Sequence, residues 1–308
     1  MRLFSSATCA SLAALAIGCG TPPQDEPPVT TAEEHPCGGS AEPNLHIVRT
    51  IGFVGADGNV SEGLDLDGVV SDASDPTGCF KGDYVSPEGT EGIDNQFAAL
   101  LPALELAAGS DSINGLIERS IHSGNLLLML GARHVDDPID DECVAVSVWR
   151  AKGEPLIDGL GEVTRNQSFD IDQDVPSFHF TELSLDDGYY EAGPFDFDLP
   201  IVIDNFDLFL SLKDARLRYR VQPDGSAKGI LAGGLLQDDL TGIIEVVGGA
   251  SGAVLNLIET QVARNRDLLP NEEGQCQAIS VSLAFEATPA FFYTDQDSSI
   301  PTDSEDAE

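Results

Sequence analysis

The sequence predicts an α+β domain rich in strands, an antiparallel β-sandwich with helical insertions. Three observations lead there. From Leu156 onward, apolar and polar residues alternate with a period of two, the spacing that gives a half-buried strand one wet face. The helix-like segments fall in two clusters rather than between successive strands, which argues against a doubly wound parallel sheet. The chain, 308 residues and 42% hydrophobic, is long enough for one large core. A pair of subdomains divided near Leu156 is the alternative arrangement.

In chain order, residues 45–55 (LHIVRTIGFVG) carry β-branched and aromatic residues bounded by glycine and read as a first strand. Asp94-Asn95 can cap a helix running to about Ala107, with Phe97, Leu100, Leu101 and Leu104 on one face and Pro102 as a point of bending or splitting. Asp111-Ser112 opens a second helix carrying Ile113, Leu116, Ile117 and Ile121 on one face. Residues 125–135 and 143–153 read as buried strands joined by DDPIDDE. Strand signals continue through 169–175, 177–183, 206–212 and 215–236, the last with Asp224-Gly225 as a hairpin turn. Segments 238–247 and 251–269 read as two helical pieces separated by Gly248-Gly249, the second stopped by Pro270. Residues 276–293 alternate again and form the closing strand.

Charge sets the functional limits. Fifteen Lys and Arg stand against 53 Asp and Glu, a formal net charge of −38. Nucleic acid and anionic membrane surfaces require a basic patch and are disfavoured as partners on that ground, leaving cations, basic proteins or neutral glycans. The acids concentrate between Asp57 and Asn95, where ten of them face one base, Lys81, among recurrent glycines and prolines. Such a stretch buries little apolar surface and repels itself, yet it lies between two apolar segments and holds Cys79. A divalent cation with oxygen ligands reconciles these facts. In Asp65-Leu66-Asp67-Gly68 both carboxylates share one face of an extended chain and the glycine lets the backbone turn. Asp94-Asn95 and Asp140-Asp141 are the two other places that could complete a calcium shell of about 6–8 oxygens. The spacing is not that of an EF-hand: a loop started at Asp57 puts Glu62 at the glycine position. The competing reading is a solvated acidic loop, with Asp94 as a helix cap.

Four cysteines, Cys37, Cys79, Cys143 and Cys276, predict two disulfides in an oxidising compartment. Three connectivities are possible; Cys79–Cys143 with Cys37–Cys276 is preferred, and the first bridge would hold the loop before Asp94 beside the loop containing Asp141. At the amino end, Arg2 precedes a short apolar run, SLAALAIG, too short to span a bilayer and typical of a signal peptide. Its end, Leu15-Ala16-Ile17-Gly18-Cys19, resembles the lipobox of bacterial lipoproteins, with Ala16 where leucine is usual. That resemblance implies cleavage after residue 18, lipidation of Cys19 and, with Gly20 following, delivery to the outer membrane or cell surface. Residues 19–43 then form a Pro- and Thr-rich tether, 44–293 the globular domain, and 294–308 an acidic disordered tail.

Motifs for catalysis are missing from the sequence. The five histidines make no HExxH, and there is no G-x-S-x-G, P-loop or dinucleotide fingerprint. The run DLDG…SPEG…GIDNQ resembles uncharacterised exported bacterial proteins, which implies neither substrate nor reaction. The sequence therefore predicts a membrane-anchored lipoprotein with a calcium-stabilised acidic loop, binding an unknown protein or glycan or serving structure. A polysaccharide hydrolase using a carboxylate pair, and an envelope protein without ligand, are the rivals.

Overall fold

A computed structural model of the chain describes residues 37–40, 42–108, 113–203, 206–240 and 252–293. Its centre is a closed antiparallel β-barrel of eight strands, not a sandwich, and the fold is mostly β. The ring runs β1 (Asn44–Phe53), β4 (Leu127–Arg133), β5 (Asp141–Lys152), β7 (Phe178–Asp186), β8 (Tyr189–Ile203), β9 (Phe206–Val221), β10 (Ala227–Leu236) and β12 (Cys276–Phe292). β12 then pairs back onto β1, Phe53 opposite Leu283 and Ile51 opposite Phe285. Each barrel strand therefore lies beside its predecessor in the chain, an up-and-down meander whose closure leaves no sheet edge. Short strands complete the set. β2 (Ala56–Asp57) and β3 (Val60–Ser61) form a hairpin, β6 (Gln167–Ile171) joins β5 and β12 outside the ring, and β11 (Leu268–Pro270) pairs with β12.

Side chains fill the interior, as eight strands allow. Leu217, Leu231, Leu283 and Phe53 make one cross-strand row, all buried. The next row holds Tyr190, Tyr219, Gly229, Phe285 and Ile51, with the two tyrosines stacked at 4.9 Å. Gly229 is the relief point of that row: a Cβ there would lie 2.8 Å from the Phe285 ring and 2.5 Å from the Tyr219 Cβ. Phe178, Phe180, Phe195 and Phe197 cluster across β7 and β8, with centroids 4.8–6.4 Å apart.

Helix α2 (Ile113–His122) packs on both β1 and β8, which stand opposite each other in the ring, so it lies across one mouth of the barrel. The helix expected from Asp94-Asn95 is split, as Pro102 requires, into a 3-10 turn at Gln96–Ala99 and α1 (Leu101–Ala108). Asn95 makes no cap hydrogen bond there. α3 (Gly252–Arg264) is the shortened form of the last helix; Pro270 sits in β11 instead of ending it. The expected 206–212 and 215–221 strands are one strand, β9, with a register shift near Asp214. β8 was not expected at all: Gly193, Pro194 and Pro200 punctuate it, and irregular register accommodates the first two. The signal segment, Cys19, most of the tether, the acidic tail and most of segment 238–247 lie outside the described residues.

The disulfides are Cys37–Cys143 and Cys79–Cys276, the connectivity not preferred from sequence. The second ties the acidic stretch to the start of β12. Closing a loop of 197 residues, it removes much denatured-chain entropy. Replacing Cys79 and Cys276 by alanine should lower unfolding stability by about 2–5 kcal/mol in denaturant titration. Gly229→Ala should cost about 1–3 kcal/mol by overpacking the tyrosine row.

Candidate metal centre

The acidic stretch leaves β1, turns through the β2–β3 hairpin, and returns along the outer wall of β12. Two serines of that wall hold it. The Gln96 N–H donates to the Ser280 hydroxyl at 2.7 Å, and the Ser282 N–H donates to the Asn95 side-chain carbonyl at 3.2 Å. Asn95 also donates its amide to the Val54 carbonyl and the Ser61 hydroxyl, so this fully buried residue is a clamp between the stretch and the barrel. Gly63 permits the close approach, since a Cβ there would come within 2.7 Å of the Ser282 hydroxyl.

Two short bridges complete the path, Leu64 with Asp94 and Tyr84 with Ile93. The first brings Asp94 against the Asp65-x-Asp67 turn. Carboxylate oxygens of Asp65, Asp67 and Asp94 lie within 4.8 Å of one another. Asp94 is buried at 2% exposure, Asp65 is half-buried, and Asp67 is exposed. Much of the local geometry is made by backbone donors. Asp94 accepts the Leu66 N–H at 2.7 Å, Asp65 that of Gly68 at 2.7 Å, and Asp67 that of Val69 at 2.9 Å. These bonds fix the turn but leave three carboxyl groups facing one space.

The electrostatic consequence is strongest at Asp94. Burial pushes its pKa up to about 8, reinforced by Asp267, Asp67 and Asp83 and partly offset by the Leu66 N–H. Burial also raises Asp67, with Asp65 and Asp75 adding to it, and raises Asp83, which faces Asp67, Asp65 and Asp75. Behind the trio lies Asp267, 5% exposed and held by the Ser280 N–H and hydroxyl, with burial raising its pKa to about 7. Asp267 had no signal in the sequence beyond standing near the end of a helical run.

Three of the six metal-ligand candidates thus come together. Asn95 is beside the trio in sequence but spends its amide on the barrel. Asp140 and Asp141 are not brought to the trio. Asp141 accepts the N–H groups of Asp136, Asp137 and Cys143, and Asp140 accepts that of Asp187. The reason is the disulfide pairing, which links Cys143 to Cys37 and leaves Cys79 with β12.

The donor set is all oxygen. Its carboxylates span what opposite ligands of a cation bound at about 2.3–2.6 Å span, and the cluster could hold a metal ion. Comparison with protein-family models, curated proteins and solved structures returns no match. The class of protein is set by fold and covalent chemistry alone: a disulfide-bonded antiparallel barrel suited to an oxidising, exported environment. No helix among the described residues is long and apolar enough to cross a membrane.

A raised carboxyl pKa sets a pH dependence. The unfolded chain ionises near pH 4, whereas native Asp94 and Asp267 hold their protons until about 8 and 7. Folding stability in a chelator should therefore fall as pH rises from about 5 to 8, by up to about 1.4 kcal/mol per pH unit per group. Asp94→Asn, which keeps an acceptor for the Leu66 N–H, should flatten that fall in pH-resolved denaturant titrations.

Proposed function

We propose that the protein is an exported, lipid-anchored envelope protein whose barrel carries a calcium-stabilised acidic loop, and that its role is binding or structural. The observation that carries the calcium reading is the convergence of Asp65 and Asp67 with buried Asp94. Burial first, and the neighbouring carboxyls after it, hold the Asp94 proton on, and a divalent cation offsets both. Calcium suits the site better than a softer ion, because the trio offers no sulfur or imidazole and backbone carbonyls and water are at hand. Export is supported by the two disulfides, and lipid anchoring by the Leu15–Cys19 sequence. A carboxylate-pair hydrolase has less support. Asp94 and Asp267, the carboxyls with the highest pKa values, are both buried, away from any substrate.

Calcium in hundredfold excess over its dissociation constant should stabilise the fold by about 2.7 kcal/mol. That raises the melting midpoint by roughly 5–10 °C over the same protein in EDTA. Asp65→Asn with Asp67→Asn should abolish the shift; an identical midpoint in calcium and EDTA contradicts the reading. The anchor has its own measurement: labelled palmitate should enter the protein during growth and should not enter Cys19→Ala.

A further inference from the structure

The same excursion that makes the cation cluster overhangs the outer wall of the barrel. Between overhang and wall runs a groove of about 1100 Å³. Its floor is the solvent-facing side of β8, β9 and β10. Arg216, Arg218 and Arg220 stand there on alternate positions of β9, and Lys228 is opposite Arg220 on β10. Four of the chain's fifteen basic residues thus share one face of a protein of net charge −38. The facing side is acidic, formed by Glu62, Asp65 and Glu88 from the excursion, while Asp187, Glu191 and Glu286 line the groove on the barrel side.

The floor is held in position before any ligand arrives. The Arg218 guanidinium lies 4.1 Å from the centre of the Tyr189 ring and pairs with Glu191 at 2.9 Å. The Arg220 guanidinium lies 4.9 Å from the same ring. Lys228 pairs with Glu286. Among the described residues neither Arg216 nor Arg220 has a carboxylate partner, although acids outnumber bases more than threefold in the chain. Both are solvent-exposed, where an arginine without a counter-ion keeps its capacity for a bidentate carboxylate contact.

We propose that this groove binds an extended peptide with acidic side chains at alternate positions and basic residues between them. Alternate side chains on a strand lie about 6.7 Å apart, so Arg216 and Arg220 are spaced about 13 Å. An extended peptide has the same repeat, and its residues i and i+4 meet in register the two guanidinium groups that lack a carboxylate partner among the described residues. Its intervening side chains point the other way, toward Glu62, Asp65 and Glu88. A polyanion with charge on every unit, such as a nucleic acid or a polyuronate, would press like charge against that acidic side. β9 is hydrogen-bonded on both edges, by β8 and β10, so the ligand lies across side chains and does not add a strand. The proposal shares Asp65 with the calcium reading, but the arginines that carry it belong to the barrel.

The test is fluorescence anisotropy with a labelled peptide of roughly eight residues alternating Glu and Lys. Comparators of equal length are an all-Glu peptide, a block peptide with all Glu before all Lys, and an oligouronate. The alternating peptide should bind saturably and best. Affinity should drop about tenfold or more in Arg216→Gln/Arg220→Gln, a variant whose melting midpoint in EDTA stays that of the parent. No saturable binding, equal binding by the double variant, or equal or tighter binding of the all-Glu peptide, the block peptide or the oligouronate overturns the proposal. A failed calcium shift in melting leaves it standing.

Discussion

The pairing of β1 with β12 is the constraint from which the rest follows. Residues more than two hundred positions apart in sequence lie opposite one another, Phe53 with Leu283 and Ile51 with Phe285, and the ring has no edge because of them. Beside that seam, the chain between β1 and the first helices runs over the outer face of β12, where Ser280 and Ser282 offer hydrogen-bonding groups and Cys276 offers a sulfur. The acidic stretch is therefore ordered by the barrel's wall rather than by a core of its own.

That placement explains the electrostatics. Carboxylates in a free acidic segment separate; here the Leu64–Asp94 bridge and the clamp at Asn95 force three of them together and bury one. Backbone N–H groups at Leu66, Gly68 and Val69 offset part of the repulsion, yet Asp94 still holds its proton to about pH 8. The same overhang covers a groove whose floor gathers Arg216, Arg218, Arg220 and Lys228, a clustering that charge counting along the chain does not reveal. One excursion, laid on one seam, yields both features.

Part of this was legible in the sequence. Asp65-x-Asp67 is read from alternation along an extended chain, and Asp94 from its place in an acidic run; both depend on local spacing. β1, β4, β5, β10 and β12 were found within a few residues because their apolar patterns are uninterrupted. What was missed is non-local. Period-two alternation is the same in a sandwich and a barrel, so the choice between them rests on the β1–β12 register, which no window of sequence contains. The disulfide pairing depends on that same topology, and its error carried Asp140 and Asp141 into the wrong place. Gly193, Pro194 and Pro200 hid β8, because strand breakers read as a loop, although a shifted register accommodates the first two. Asp267 and Asn95 owe their roles to Ser280, Ser282 and Ser61, partners between 13 and 187 residues distant. The arginines of β9 are plain in ARLRYRV, but only the overhanging excursion makes them the floor of a groove.

The carboxyl trio could hold a cation, and Asp94 keeps its proton in the absence of one. Calcium titration calorimetry near pH 7, repeated in buffers of different ionisation enthalpy, counts the protons released. Close to one proton should leave per calcium bound, and none from Asp94→Asn if that variant still binds. Calcium binding without proton release, or no calcium binding at all, contradicts the account.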